Sequence, residues 1–265
     1  MHVCHCMMMR EIIGAGEEEI TEAIIVFPEL TVVEFPNLVK FELTFCDEIN
    51  LDTIELGRDD STCQLRYLAI GDSEIQIPSK WQLRSHNLET LKLADYLWCH
   101  ELQFLCFKSL KVLRVHGSKC STLFKVSVFR SLQQLRLLEI TNCQVLEEIV
   151  EEDVRSDAAA SGMDNNTITL LQLQLESITF QNLINLKSFS STASYIFNMP
   201  KLHEFIMLGC PQMQTFTSLK TCTGEVSVYT DSHTWEDISD LNEFISQNRK
   251  RPSASDNAAL QEIWQ

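Results

Sequence analysis

Apolar residues recur along the chain in one arrangement: a leucine, an apolar residue three positions later, and another two positions after that. Leu110, Leu113 and Val115 form one copy, and in most copies a polar residue separates the last two positions. This two-residue period predicts a short β-strand whose apolar side chains share one side. The copies of the arrangement begin at Leu38, Leu65, Leu88, Leu110, Leu135, Leu175 and Leu202.

Successive copies start 27, 23, 22, 25, 40 and 27 residues apart. Most of these intervals fall in the range of leucine-rich repeats, about 20–29 residues. A single unit cannot bury its own apolar side chains, so units stack and share a continuous core. The pattern predicts an α/β leucine-rich-repeat solenoid. It should be a horseshoe with a curved parallel β-sheet on the concave face and irregular turns and short helices on the convex face.

The distribution of apolar residues divides the chain into a repeat domain and a polar tail. We predict a leucine-rich-repeat domain of about 8 units over residues 1–247, with an acidic loop at 151–167. A C-terminal capping segment is expected at 225–247, and a disordered tail at 248–265. Two copies of the pattern overlap at 27–45, which predicts an irregular or compressed turn there.

The capping segment combines two patterns. Residues 225–229 read as one more strand, whereas Trp235, Ile238, Leu241 and Ile245 have a helical spacing. We therefore expect a strand followed by a helix that covers the last coil.

Ten cysteines occur in 265 residues, which is not the density of a disulfide scaffold. Four of them follow predicted strands, at a position where asparagine or cysteine is common. A thiol there serves as a small apolar group with a weak donor for a loop carbonyl. These cysteines are Cys6, Cys46, Cys143 and Cys210. The number and positions of the cysteines indicate a reducing compartment.

Charge and hydropathy exclude several classes of protein. The 21 basic and 37 acidic side chains give a net charge of −16, which argues against binding to nucleic acid or to anionic membranes. No apolar run approaches the roughly 18 residues of a spanning helix, and the N-terminus lacks the regions of a secretory signal. We predict a cytoplasmic location, with the nucleus as the alternative.

The N-terminal His2, Cys4, His5 and Cys6 form one candidate zinc site. Neighbouring side chains on a strand point in opposite directions, and no second ligand pair follows at zinc-finger spacing. A repeat strand explains these residues better than a metal site does.

His116 and Cys120 could be read as a catalytic pair, but no orienting acid is evident. The acidic run of Glu147, Glu148, Glu151, Glu152 and Asp153 lacks the ligand spacing and turn glycine of a calcium loop, so a solvated acidic loop is expected. Neither G-x-x-x-x-G-K-[ST] nor G-x-G-x-x-G occurs. We therefore predict no catalytic residues, no metal, no cofactor and no nucleotide binding by this chain.

Polar residues on the solvent side of the predicted strands are the candidates for contact with a partner protein. They are Arg66, Tyr67, Glu89, Lys92, Lys111, Arg114, His116, Glu139, Glu176, His203 and Glu204.

The amino-acid sequences of several repeats resemble those of one protein family. Leu138–Cys143 reads Leu-Glu-Ile-Thr-Asn-Cys and is followed by Leu146–Val150, while Pro200–Leu202 is followed by Gly209-Cys-Pro-Gln-Met213. These phrases resemble the C-terminal repeats of plant coiled-coil nucleotide-binding leucine-rich-repeat (CC-NB-LRR) disease resistance proteins, over roughly residues 1–245. The resemblance implies repeats that recognise pathogen-derived ligands and restrain an ATPase switch domain. This sequence contains neither a coiled coil nor that switch domain, so nucleotide binding does not carry over.

The resemblance implies a protein–protein recognition module of an intracellular plant immune receptor, acting in defence through effector sensing and autoinhibition. Its partners would be a pathogen effector, a guarded host protein or the receptor's own upstream switch domain. The alternative is a leucine-rich-repeat substrate adaptor of a ubiquitin ligase, which should carry an F-box-like helical segment ahead of the repeats. An extracellular receptor would need a signal peptide and a membrane span.

Overall fold

The structure is a computed structural model, and it describes part of the chain. That part comprises residues 2–4, 33–34, 39–44, 54–55, 65–73, 87–96, 108–153, 168–219 and 222–248.

A ten-stranded main sheet runs through the molecule, and its strands are ordered as they occur in the sequence. Its first nine strands are parallel, and the tenth is antiparallel to the ninth. The strands are His2–Cys4, Lys40–Thr44, Tyr67–Ser73, Thr90–Tyr96, Val112–His116, Leu137–Thr141, Ser177–Gln181, Glu204–Leu208, Val226–Thr230 and Trp235–Ile238.

The register of this sheet follows the apolar pattern residue by residue. Leu91 is the partner of Leu113, and Leu113 is the partner of Leu138. All three side chains are fully buried, so equivalent residues of successive copies stack in one row inside the core. The predicted leucine-rich-repeat solenoid with a parallel sheet is confirmed.

The returning part of each coil forms strands more often than helices. Parallel strands Thr122–Lys125, Glu148–Glu151, Ser188–Ser190 and Thr215–Thr217 form a second sheet. Parallel strands Thr169–Gln172, Tyr195–Met199 and Cys222–Thr223 form a third sheet. A two-stranded parallel sheet joins Val33–Glu34 to Ile54–Glu55. The helices in the described part of the chain are Val126–Phe129 and Leu241–Asn248. The short helices expected on this side are therefore represented mainly by strands and turns.

Phenylalanine rings fill the core between the three larger sheets. Phe189 stacks on Phe216 with ring centroids 4.8 Å apart, and it meets Phe197 edge to face at 5.4 Å. Such aromatic pairs add to the stabilisation that burial of the rings provides. Phe189 and Phe216 belong to successive coils, so their stacking joins neighbouring repeats.

The turn after each central main-sheet strand begins with a residue in the left-handed conformation. Gly117, Asn142, Asn182 and Gly209 have φ values of 65°, 56°, 54° and 61°. Glycine and asparagine tolerate this conformation best. The Nδ2 of Asn182 donates to Oδ1 of Asn142 at 2.9 Å, which links the turns of neighbouring coils.

Cys143 and Cys210 are buried as predicted for the repeat cysteines, but the carbonyls that they contact belong to strand ends rather than to loops. Their thiols lie inside the turns and donate to strand carbonyls, Cys143 to Thr141 O at 3.3 Å and Cys210 to Leu208 O at 3.4 Å. Burial raises the pKa of the Cys210 thiol to about 12. Cys210 is therefore a neutral thiol at physiological pH. Cys6 and Cys46 lie outside the described residues.

The C-terminal segment differs from the helix that its apolar spacing predicts. Trp235–Ile238 is a strand antiparallel to Val226–Thr230, and the helix begins only at Leu241. Asp240 begins that helix, since its carboxylate accepts the backbone N–H groups of Asn242 and Glu243. Trp235 and Ile238 are three residues apart, so they would share one face of a helix but lie on opposite faces of the strand, with Trp235 exposed and Ile238 half-buried. Residues 235–238 form a strand because they pair with Val226–Thr230.

The helix closes the open end of the second sheet through one side chain. The amide oxygen of Asn242 accepts from Phe216 N at 2.8 Å, Thr217 N at 3.0 Å and the Thr215 hydroxyl at 2.8 Å. Strand Thr215–Thr217 is the last of this sheet in the described part of the chain, and the Asn242 amide oxygen supplies an acceptor at its outer edge.

Some predictions fall largely outside the described residues. Of the turn at 27–45 only 33–34 and 39–44 are described, and of the loop at 151–167 only its first three residues. The domain boundaries and the tail at 248–265 remain predictions.

Candidate recognition surface

Residues between the buried positions of the main-sheet strands form rows on the sheet's outer side, because the strands are in register. The central row runs along the sheet from residue 69 to residue 229. It consists of Ala69, Lys92, Arg114, Glu139, Thr179, Ile206 and Tyr229. A leading row, placed where each coil enters its strand, consists of Arg66, Glu89, Lys111, Arg136, Glu176 and His203.

The leading row is fixed to the backbone of the next coil. The carbonyl of Glu89, for example, accepts from Lys111 N at 2.8 Å and Val112 N at 3.0 Å. The carbonyls of Arg66, Lys111, Arg136 and Glu176 each accept a pair of N–H groups in the same way. These side chains therefore start from a regularly spaced backbone.

Every one of the eleven predicted contact residues is exposed or half-buried. They lie in the leading row, in the central row or beside them, at Tyr67, His116 and Glu204. The structure thus brings them to one side of one sheet. Their contact with a partner stays a prediction.

Ion pairs join neighbouring coils along both rows. Lys111 Nζ lies 2.9 Å from Glu89 Oε2, and Arg66 lies 3.8 Å from the same carboxylate. The hydrogen bond from Lys111, aided by both positive charges, holds the pKa of Glu89 below its usual value despite slight desolvation. In the central row, Arg114 Nε lies 2.8 Å from Glu139 Oε2. The pairs order charged groups of both signs on this surface.

An aromatic ring joins two lysines at the N-terminal part of this surface. Lys40 Nζ and Lys92 Nζ lie 5.0 Å and 5.4 Å from the centre of the Tyr67 ring, which is cation–π distance. These contacts span three strands and orient the ring.

The C-terminal part of the surface is aromatic, and the sequence analysis missed it. Tyr229 follows Ile206 in the central row and faces Trp235 of the antiparallel strand, with ring centroids 5.1 Å apart. Trp235 is 53% exposed. The available signal was the alternation in residues 226–229, which turns Val226 and Val228 inward and Tyr229 outward.

The structure gives His116 a neighbour on the next coil. Its Nδ1 lies 2.9 Å from the Thr141 hydroxyl. Cys120 is buried and disulfide-bonded, so the pair offers no thiolate nucleophile. That disulfide is not a bond that the predicted reducing compartment favours.

The acidic run that begins at Glu147 is not a solvated loop as far as Asp153, which corrects the expectation. Glu147 pairs with Lys187 at 2.6 Å, and Asp153 accepts from the Ser127 hydroxyl at 2.7 Å. The carboxylates between them contact neighbouring coils as well: Glu148 accepts from Ser191 N, Glu151 pairs with Lys125, and Glu152 accepts from the hydroxyls of Thr192 and Ser194. These residues attach coils to one another.

Neither a metal cluster nor a membrane helix is found in the part of the chain that the structure describes. No group of three or more His, Cys, Asp or Glu side chains there could hold a metal ion. For the candidate zinc ligands, only the backbone of His2–Cys4 is described. No described helix has the length and apolar character needed to cross a bilayer.

Comparison with known proteins gives one result. A family model described as plant disease resistance protein RPS2-like, leucine-rich repeats, matches residues 79–224, which is more than half of the chain. No curated protein and no solved structure matches the chain. The matched residues contain five of the predicted copies, from Leu88 to Leu202. The chain therefore belongs to the RPS2-like leucine-rich repeats of plant disease resistance proteins.

Proposed function

We propose that this chain is the protein–protein recognition module of an intracellular plant immune receptor of the coiled-coil nucleotide-binding class. In that role it senses a pathogen effector, or a host protein that an effector alters, and restrains the receptor's switch domain. It acts without chemistry of its own and without a cofactor. The family match supports this proposal, since repeats of such proteins form scaffolds for recognition.

The outer side of the main sheet is the observation that carries the proposal. It presents charged groups around Lys92 and Arg114 at one end and the aromatic pair of Tyr229 and Trp235 at the other. Exposed ion pairs contribute little to folding, so a partner can exchange them for its own groups at small cost. Exposed aromatic rings supply large contact areas, and they are common where proteins bind.

Photo-crosslinking tests this assignment. The cross-linking residue p-benzoylphenylalanine would replace Lys92 or Ile206 on the outer side of the main sheet. A matched control replaces the exposed Ala193, which lies between the second and third sheets. Each purified protein is mixed with extract from infected leaves that also express the switch domain of an RPS2-like receptor.

We expect the two main-sheet positions to cross-link to that switch domain or to a pathogen or host protein, identified by mass spectrometry. Ala193 should give no such product. Equal cross-linking from all three positions, or none from Lys92 and Ile206, would contradict the proposal.

A further inference from the structure

The third sheet has an open edge at its first strand. Its first strand, Thr169–Gln172, pairs with Tyr195–Met199 and is the end of the sheet in the described part of the chain. In an earlier coil the segment after the second-sheet strand forms the helix Val126–Phe129. A helix offers no backbone ladder, so no described strand pairs with Thr169–Gln172 on that side.

The backbone of this strand presents hydrogen-bonding groups at the open edge. Thr169 N donates to Ser194 O at 2.9 Å, and Leu173 N donates to Asn198 O at 2.8 Å. Backbone groups alternate in direction along a strand, so those of Leu170 and Gln172 point to the open side. The side chain of Leu170 is 56% exposed, and that of Ile168 is 53% exposed. An exposed edge with apolar side chains is a template for another strand.

A cleft of about 490 Å³ lies along this edge, and its charge is opposite to that of the whole chain. Arg130, Arg136 and Lys201 line it together with several glutamines, in a protein of net charge −16. Arg136 pairs with Glu176 at 3.5 Å, whereas Arg130 and Lys201 have no carboxylate partner among the described residues. The cleft therefore selects for negative charge.

We propose that an extended acidic segment of a partner protein binds in this cleft and adds a strand to the edge of Thr169–Gln172. Its backbone pairs with that of Leu170 and Gln172. Its carboxylates contact Arg130 and Lys201, while alternate apolar side chains lie against Leu170. Strand addition of this kind takes affinity from the main-chain bonds and specificity from the side chains. Arg136 of the leading row also lines the cleft, so the site adjoins the main-sheet surface and extends it toward the third sheet.

A fluorescein-labelled peptide tests the site on the full chain. The probe is an amidated nonapeptide, Thr-Glu-Val-Glu-Val-Glu-Val-Glu-Thr, followed by fluorescence anisotropy at low ionic strength. One comparison peptide carries lysine for each glutamate, and another carries N-methyl groups on alternate amides. The protein variants are Arg130→Glu with Lys201→Glu, and the control pair Lys108→Glu with Lys119→Glu at exposed positions outside the cleft.

We expect the acidic peptide to bind and the lysine peptide not to bind. N-methylation and the cleft variant should each weaken binding at least tenfold, and the control variant should bind within about twofold of the parent. Undiminished binding of the N-methylated peptide would overturn strand addition. Equal losses in the two protein variants would overturn the site, and so would failure of the acidic peptide to bind. The main-sheet cross-links do not depend on any of these outcomes.

Discussion

Single residues in the turns of this solenoid are constrained by the neighbouring coil as well as by their own backbone. Gly209 combines both constraints, with φ at 61° and the side chain of Asn182 directly beside it. A Cβ atom at residue 209 would lie 2.7 Å from Oδ1 of Asn182, closer than real Cβ contacts allow. The Asn182 amide cannot retreat freely, because it also donates to Asn142.

Gly209→Ala should therefore lower the free energy of unfolding by about 1–3 kcal/mol, through the left-handed backbone and the displaced Asn182. Urea denaturation measures the change. Gly224→Ala is the matched control, since the nearest atom to its Cβ would be Pro200 O at 3.9 Å. A control loss as large as that of Gly209→Ala would show that the turn geometry is not the cause.

Leu113 and Arg114 are neighbours in one strand, and substituting each of them distinguishes a role in folding from a role in recognition. Leu113 is fully buried, whereas Arg114 lies on the outer side and pairs with Glu139. Leu113→Ala should cost roughly 2–5 kcal/mol of folding stability, as truncation of a buried leucine does. Arg114→Ala should cost less than about 1 kcal/mol, because exposed ion pairs contribute little. Equal losses in urea denaturation would mean that the assignment of inner and outer sides is wrong.

At the scale of elements, the strands of the main sheet could be predicted from the sequence, whereas the strands of the second and third sheets could not. The repeat of Leu88, Leu110 and Leu135 predicted both the strands and their register, because identical local patterns stack in phase. An apolar spacing of three residues leads into the second sheet, as at Leu183, Leu186 and Phe189, but that spacing does not by itself indicate a strand or its partner. The pairing in these sheets depends on contacts between distant residues, such as Glu147 with Lys187, which no local period reveals.

The outer surface was predicted in part for the same reason. Arg114 and Glu139 stand at outward positions of regular copies, so alternation placed them correctly. Trp235 was assigned to a helix because its spacing to Ile238 and Leu241 is helical, and only the antiparallel partner strand makes it part of the main sheet. The cleft beside Thr169–Gln172 was not predictable, because the absence of a neighbouring strand leaves no mark in that strand's own sequence.

The C-terminal helix contacts the end of the second sheet through Asn242, and this contact can be tested. Asn242→Ala removes an acceptor of the Phe216 and Thr217 N–H groups and should cost about 1–3 kcal/mol, since loss of a hydrogen bond to a buried donor is unfavourable. Hydrogen exchange should show faster exchange at these two amides, with urea denaturation giving the free energy. Gln247→Ala on the same helix is the control, because its amide donates to the exposed Glu243 and to no other described residue. Unchanged exchange at residues 216 and 217 would refute this role.

At the scale of the whole molecule, each coil depends on the coils beside it rather than on a single centre. Phenylalanine contacts, turn asparagines and the carboxylates from Glu147 to Asp153 all join one coil to the next. Stability in such a stack is a sum of local and nearest-neighbour contributions, so parts of it can open separately. Coils near an end have fewer neighbours to hold them.

Two buried free thiols of the described residues let this be observed by chemical labelling. Cys143 and Cys210 occupy the same repeat position, one with several coils on its C-terminal side and the other near the C-terminal hairpin. A buried thiol reacts with iodoacetamide only after its coil opens. Cys210 should therefore be alkylated sooner than Cys143, as peptide mass spectrometry would show, and equal rates would mean that the stack opens as one unit. The protein thus carries its own pair of chemical probes for where the solenoid begins to unfold.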